Sequence, residues 1–150
     1  KESDPSPRAR QGGVSAEVCG ASLSRGILEA LKLSTSKGCR KMQNGKFPEG
    51  AFKECKVLQF AAGVDELGVN FEFEVVAPEI FKDLRRNAYG VEDDEYCRSM
   101  CLHALSGGQQ GEGRSGMLFF SSWDKKYLAK TVKAEEVPFF FDSMEVYHNH

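Results

Sequence analysis

The chain has 150 residues, 41% hydrophobic and 28% charged, which is enough for one modest domain with a single core. A formal net charge of −2 excludes nucleic acid as a bulk electrostatic partner. No apolar run reaches the roughly 18 residues of a membrane-crossing helix, and five cysteines without paired spacing predict reduced thiols, not a disulfide frame.

Residues 1–13, KESDPSPRARQGG, hold no core-forming side chain, and such a segment is expected to be disordered when free. A first residue of Lys1 is expected either of a processed chain or of a piece of a longer one. Residues 14–34 predict an amphipathic helix, with Val14, Val18, Ile27, Leu28 and Leu31 grouped at the helical period. Its first half is crowded with small residues (Ala16, Gly20, Ala21, Ser22) that permit close approach. It reads first as a core-facing helix, with a docking helix as the alternative. Residues 37–49 form a basic linker carrying Lys37, Arg40, Lys41 and Lys46, punctuated by Gly38, Asn44-Gly45 and Pro48. The organisation expected is an N-terminal extension over residues 1–50 and a folded domain over residues 51–150.

Residues 56–61 and 69–76 read as two strands around a turn at 63–68. In the second, Phe71, Phe73 and Val75 alternate with Asn70, Glu72 and Glu74, the pattern of a half-buried strand whose glutamates are simply solvated. Pro78 opens a helix, Ile80, Phe81, Leu84 and Ala88 make its buried face, and Gly90 ends it. The acidic run at residues 92–95 suits the positive end of the next helix dipole, with Tyr96 and Met100 following on one side. Cys97 and Cys101 share a helix face and are expected to pack in the core, since no Cys or His pair completes a metal site. His103 is expected to pack or to lie at the surface, and residues 106–113 read as a flexible Gly/Gln loop.

Residues 111–133, GEGRSGMLFFSSWDKKYLAKTVK, then parse as loop, strand, tight turn and strand. Gly111, Gly113 and Gly116 give G-x-G-x-x-G, which lets backbone N–H groups approach a phosphate without a Cβ in the way. A dinucleotide fold needs a helix right after these glycines, but here a β-type run follows, Met117-Leu118-Phe119-Phe120. The other use of the spacing is a glycine-rich hairpin over ATP phosphates, with a lysine on a later strand. Lys130 sits where such a lysine belongs; the plain alternative is a glycine-rich hairpin with a solvated lysine. A helix follows from Ala134-Glu135-Glu136, with Pro138 tolerable only near its start. Its Phe139-Phe140-Phe141 and Met144 make an apolar face that needs cover. His148 and His150 lack a third ligand, so no metal site is expected.

The stretch GRSGMLFFSSWDKKYLAKTV resembles the N-lobe signature of the phosphatidylinositol phosphate kinases (phosphatidylinositol-4-phosphate 5-kinase-like). That signature is a Gly-Lys-Ser-Gly loop, an aromatic strand, Ser-x-Asp-x-Arg-Phe, and Ile-Lys-Thr. This chain departs from it with Arg114 for the loop lysine, Lys126-Tyr127 for Arg-Phe and Ala129 for the isoleucine. Phe81-Lys82-Asp83-Leu84-Arg85 and Gly90-Val91-Glu92-Asp93-Asp94-Glu95-Tyr96 are similar to the family's FRxLR…GIDxxDY helices, and Tyr147-His148-Asn149-His150 to its YYNH. The resemblance covers residues 71–150.

The resemblance implies an α+β fold, an antiparallel sheet with helices packed on one face, like that N-lobe. It implies nucleotide binding by Gly111, Gly113, Arg114, Ser115, Gly116 and Lys130, with Glu135, Glu136 or Glu145 as the partner of the lysine. The sequence does not choose among the three. In the family, the catalytic aspartate, the metal-holding residues and the lipid-reading activation loop lie in a second lobe, and nothing in these 150 residues resembles them. The expectation is therefore a chain without catalytic residues that requires no cofactor and handles ATP and Mg²⁺ only when a catalytic lobe is supplied. The first reading is a non-catalytic subunit or interaction module held with protein partners in a larger assembly. The alternatives are a fragment of an active phosphatidylinositol phosphate kinase, and a nucleotide- or phosphoinositide-binding module without turnover that uses Arg114, Lys125, Lys126, Lys130 and Lys133. An anionic membrane surface or phosphoinositide is a further expected partner. The resemblance implies the cytoplasmic membrane surface as location, or an organelle if the N-terminus is processed.

Overall fold

The computed structural model describes residues 14–35, 46–63, 67–110 and 116–150. The polar tail, most of the basic linker, part of the first hairpin turn and residues 111–115 of the glycine segment lie outside the described residues. Five α-helices and five strands are present among the described residues. In chain order these are α1 (Ala16–Thr35), α2 (Glu49–Phe52), β1 (Cys55–Phe60), β2 (Phe71–Val76), α3 (Pro78–Asp83), α4 (Asp93–Cys101), β3 (Ser106–Gln110), β4 (Leu118–Ser121), β5 (Leu128–Lys130) and α5 (Val137–Asn149). The fold is α+β, as expected, but its antiparallel strands divide into two small sheets, β1-β2 and β3-β4-β5. One reason lies at the end of β2. Ala77 adopts a left-handed φ of 43°, donates its N–H to the Glu54 carbonyl at 2.7 Å, and turns the chain straight into α3 at Pro78.

β1 and β2 pair in register from Cys55↔Val76 to Phe60↔Phe71, and the Phe60 and Phe71 rings stack at 4.4 Å. After α3, a π-helical turn (Leu84–Ala88) and Gly90, at φ +65°, bring the chain round to α4. A glycine is needed at Gly90 because an L side chain rarely takes that conformation. α4 begins with Asp93, Asp94 and Glu95 in its first turn, where carboxylates oppose the positive end of the dipole.

Two apolar clusters result. One joins Ala51, Phe52, Ala77, Ile80 and Met144, tying α2, α3 and α5 together. The other centres on Met100, Leu105 and Phe120, with Cys19, Leu23 and Ile27 of α1 packed against it. α1 is therefore seated on the β3-β4-β5 sheet and α4, although the sequence places it in an extension. Its buried row runs through Cys19, Leu23 and Ile27, while Val14, expected on the inner face, is exposed. The small residues serve close approach within the chain. A Cβ added at Gly20 would collide with the Leu105 carbonyl oxygen, and one at Gly26 with the Phe73 ring.

Ser24, one turn beyond Gly20, accepts the buried Leu105 N–H at 3.0 Å and donates to the His103 carbonyl at 3.4 Å. Ser24→Ala leaves that amide unpaired away from water. It is expected to lower stability by about 1–2 kcal/mol, measured by urea denaturation with an unchanged slope.

The segment expected as a Gly/Gln loop is a strand over its first half. β3 pairs with β4 from Ser106↔Ser121 to Gln110↔Leu118, with a register shift between Gly107 and Gln109. Gly107 (φ +136°) and Gly108 (φ +79°) take conformations open to glycine and press against the Phe119–Phe120 backbone and the Phe120 ring. Their weak strand propensity is overridden by the pairing that β4 offers.

Candidate functional site

The β4-β5 hairpin is built on alternation. Register pairs are Phe119↔Lys130, Phe120↔Ala129 and Ser121↔Leu128. Phe120 is 1% exposed and belongs to the core with Ala129 packed against it. Period-two alternation therefore puts Phe119 and Lys130 on the opposite, outer face. Lys130 is exposed, and its ammonium lies 5.9 Å from the centroid of the Phe119 ring. Gln109, the β3 partner of Phe119, shares that face. Thr131 closes the end of the ladder: its N–H donates to the Leu118 carbonyl at 3.0 Å, and its Oγ1 accepts the Leu118 N–H at 2.8 Å.

Of the glycine segment, Gly116 is described, at φ +65° with open space where a Cβ would point. The requirement there is conformational, not steric. Gly111, Gly113, Arg114 and Ser115 lie outside the described residues.

The three carboxylates weighed as partners of Lys130 are placed as follows. Glu135 pairs with Lys133 at 3.8 Å. Glu136 accepts the Lys133 N–H at 2.9 Å, capping the 3-10 turn (Ala134–Glu136) ahead of α5. Glu145 is exposed on α5. Among the described residues no carboxylate pairs with Lys130. Of the neighbouring cations, Lys126 pairs with Glu95 at 3.0 Å and Lys125 donates to Ser121 Oγ at 3.0 Å. Lys130 is thus the lysine of the hairpin that faces outward with no carboxylate partner among the described residues.

The turn between β4 and β5 is fixed to α4 by a polar network that sequence reasoning missed. Asp124 accepts from Ser99 Oγ at 2.6 Å, from Ser122 Oγ at 2.8 Å and from the Lys126 N–H at 3.2 Å. Ser122, fully buried, accepts the Tyr127 N–H at 3.0 Å, and the Trp123 indole donates to the Arg98 carbonyl at 3.1 Å. Tyr96 and Tyr127 meet edge to face at 5.2 Å. The local signal available was Ser-x-Asp, whose side chains bond turn backbone readily; its reach to Ser99 was not legible.

The Ser99 hydroxyl, with smaller help from Ser122, the Lys126 amide and the Lys126 ammonium, outweighs partial desolvation and holds the Asp124 carboxyl below the usual carboxylate range. A carboxyl lowered in the folded state contributes stability above its unfolded pKa, and that contribution disappears as pH falls through the folded value. Asp124→Asn is therefore expected to lower Tm at pH 7 and to flatten the fall of Tm below about pH 4. Thermal scans from pH 2 to 7 check both.

α5 is anchored by three contacts. Phe140 stacks on Phe81 at 6.1 Å, Met144 is buried, and His148 Nε2 lies 2.9 Å from Asp83 Oδ2 with its ring edge-on to Phe47 and Phe52. His148, weighed as a metal ligand and set aside, has a structural partner 65 residues away. Among the described residues no group of three His, Cys, Asp or Glu could hold a metal. Cys101 packs beside Met100 and Leu105; burial, and Cys97 next to it, push its thiol up to about 12. At neutral pH that thiol is protonated. α5 also leaves apolar surface open at Phe139, Phe140, Val146 and Tyr147.

The arrangement is an outward, exposed lysine on a hairpin strand paired with β4. The family model described as Phosphatidylinositol-4-phosphate 5-Kinase matches residues 99–150, the span from Ser99 through the hairpin to α5. Phosphatidylinositol 5-phosphate 4-kinase type-2 gamma of Danio rerio is 34% identical over 96 residues, 63% of this chain and 22% of that protein. The type-2 beta protein of Homo sapiens is 28% identical over 98 residues, 65% of this chain and 23% of its own length. The type-2 alpha protein of Homo sapiens is 27% identical over 100 residues, 67% of this chain and 24% of its own length. The chain thus spans less than a quarter of the curated relatives it matches.

Proposed function

We propose that the chain, which is similar to phosphatidylinositol phosphate kinases, is part of such an enzyme and that its β3-β4-β5 sheet is the phosphate-holding part of an ATP-dependent phosphoinositide kinase. The observation that carries this reading is the Phe119↔Lys130 pairing, which presents an exposed lysine, with no carboxylate partner among the described residues, on the strand paired with β4. Lys130 would neutralise phosphate oxygens as a compact point charge, and the amides of residues 111–116 would cradle them. Mg²⁺ bound with ATP supplies further charge neutralisation between the phosphates. Phosphoryl transfer to a phosphoinositide head group at an anionic membrane surface is the reaction proposed for the whole protein, using residues outside these 150.

A second reading, a module held by protein partners without turnover, is favoured by one observation. The exposed Phe139, Phe140, Val146 and Tyr147 of α5 need cover. Titration of the full chain with a fluorescent trinitrophenyl-ATP in Mg²⁺ separates the two. The first reading expects saturable binding that unlabelled ATP displaces. Absence of displacement by millimolar ATP, together with self-association through α5 on gel filtration, would replace it with the second.

A further inference from the structure

α4 carries Cys97 and Cys101, two free thiols four residues apart. That spacing places them on one helix face, one turn apart. The two thiols hydrogen-bond to each other, and both side chains are half-buried. Cys101 also opens on a cavity of about 340 Å³ between α1 and the end of α4, walled by Ala21, Ser24, Arg25, Leu28 and Ala104. The hydroxyl on that wall is already engaged: Ser24 Oγ accepts the Leu105 N–H and donates to the His103 carbonyl. Among the described residues no carboxylate, imidazole or further thiol joins the pair to make a group of three. Two sulfurs without a third ligand exclude most ions. A structural zinc takes four ligands, and calcium and magnesium take oxygens. Cu(I) is soft, selects thiolates, and is satisfied by two of them.

We propose that Cys97 and Cys101 together hold a single Cu(I) ion, which reaches them through this cavity. On binding, each thiol releases its proton to water and each sulfur forms one bond to the ion. The metal arrives and stays as Cu(I), so no electron moves. Two thiolates and one monovalent cation leave a single negative charge on the site. Arg25 on the cavity wall sets a positive charge against it, shared with Glu29 at 3.6 Å. Two features oppose binding. Asp94, one turn before Cys97, is a like charge, but it is exposed and screened by water. Burial, and Cys97 beside it, push the Cys101 thiol up to about 12, so the copper–sulfur bonds must displace a proton that is firmly held at neutral pH. That protonation also makes Cys101 a poor nucleophile toward peroxides and electrophiles, which leaves metal binding as the chemistry open to the pair. Neither Lys130 nor the glycine segment takes part, so this site stands or falls independently of the phosphate reading.

The test is anaerobic competition of the full chain, in ascorbate, with bathocuproine disulfonate for Cu(I). The chain is expected to withdraw one Cu(I) and to remain a monomer on gel filtration. Alkylation by N-ethylmaleimide, read by mass spectrometry, locates the ion without any variant. Bound Cu(I) is expected to protect Cys97, while the exposed Cys55 reacts as before. Cys97→Ser and Cys101→Ser are each expected to weaken Cu(I) binding by more than the roughly 10- to 100-fold that loss of an outer partner costs a metal site. Cys55→Ser is expected to leave it unchanged, and circular dichroism checks that each variant keeps its helices. Cu(I) held equally by Cys97→Ser and wild type, or Cys97 alkylated at one rate with and without copper, overturns the proposal. So does one ion shared between two chains.

Discussion

Lys130→Met is expected to weaken ATP binding roughly 10- to 100-fold while leaving the fold in place. A hydrogen-bonded charge on a phosphate is worth about 1.5–3 kcal/mol, and each 1.4 kcal/mol is about tenfold. Lys130 is exposed, and its one aromatic contact among the described residues is the Phe119 ring at 5.9 Å. An exposed cation–π contact is worth less than about 1 kcal/mol, so Tm should hardly move. Methionine keeps the length and apolar stem of the lysine, so the two effects separate cleanly. Isothermal titration with ATP and Mg²⁺ measures the first and calorimetric melting the second. Lys125→Met serves as the control, since Lys125 sits in the turn, donating to Ser121 Oγ, and does not share the outer face with Phe119. Equal loss in both variants would mean that a diffuse basic surface, not a placed lysine, holds the nucleotide.

Gly20→Ala is expected to destabilise the chain by about 2–3 kcal/mol, a fall in Tm of about 10 °C. Helix propensity argues the other way, because alanine is favoured over glycine inside a helix by about 1 kcal/mol. The sign is decided by what a Cβ meets. At Gly20 it meets the Leu105 carbonyl oxygen, which is backbone and cannot swing aside. α1 must lift, and lifting it breaks the Ser24–Leu105 hydrogen bond and opens the Met100, Leu105 and Phe120 cluster. An unchanged or raised melting temperature would show that α1 does not rest on Leu105. Gly20→Ala and Ser24→Ala act on the same contact, so their double mutant should fall short of the sum.

What the sequence made legible was local in origin. Alternation and turn residues identified the hairpin from Leu118 to Lys130, and Phe119 and Lys130 fall on paired strands as its spacing requires. Gly90 marked the end of the α3 segment because only its backbone geometry was at issue. β3 was not legible. Gly107, Gly108, Gln109 and Gln110 have no strand preference of their own and become a strand by pairing with β4. The inner row of α1 was legible at Ile27 but not at Val14, Cys19 and Leu23, for a related reason. Its closest contacts are made by Gly20, Ser24 and Gly26, which a hydrophobic count does not weigh.

The site divides in the same way. The place of Lys130 followed from strand spacing, but the fate of Glu135 and Glu136 depended on a capped 3-10 turn that binds them to Lys133. The pairing of Asp83 with His148 closes a loop of 65 residues, and the Asp124–Ser99 bond one of 25. Neither partner could be named from sequence spacing, and together they fix α5 and the hairpin turn that carries the proposed phosphate site.

Labelling with an acyl-phosphate derivative of ATP tests the phosphate site most directly. Such a reagent transfers its acyl group to a lysine amine held against the terminal phosphate, and mass spectrometry of the digested chain finds the modified residue. The site described here predicts labelling of Lys130 that free ATP suppresses, with Lys125, Lys126 and Lys133 labelled slowly and without protection. Labelling spread evenly over the four lysines and indifferent to ATP would contradict it.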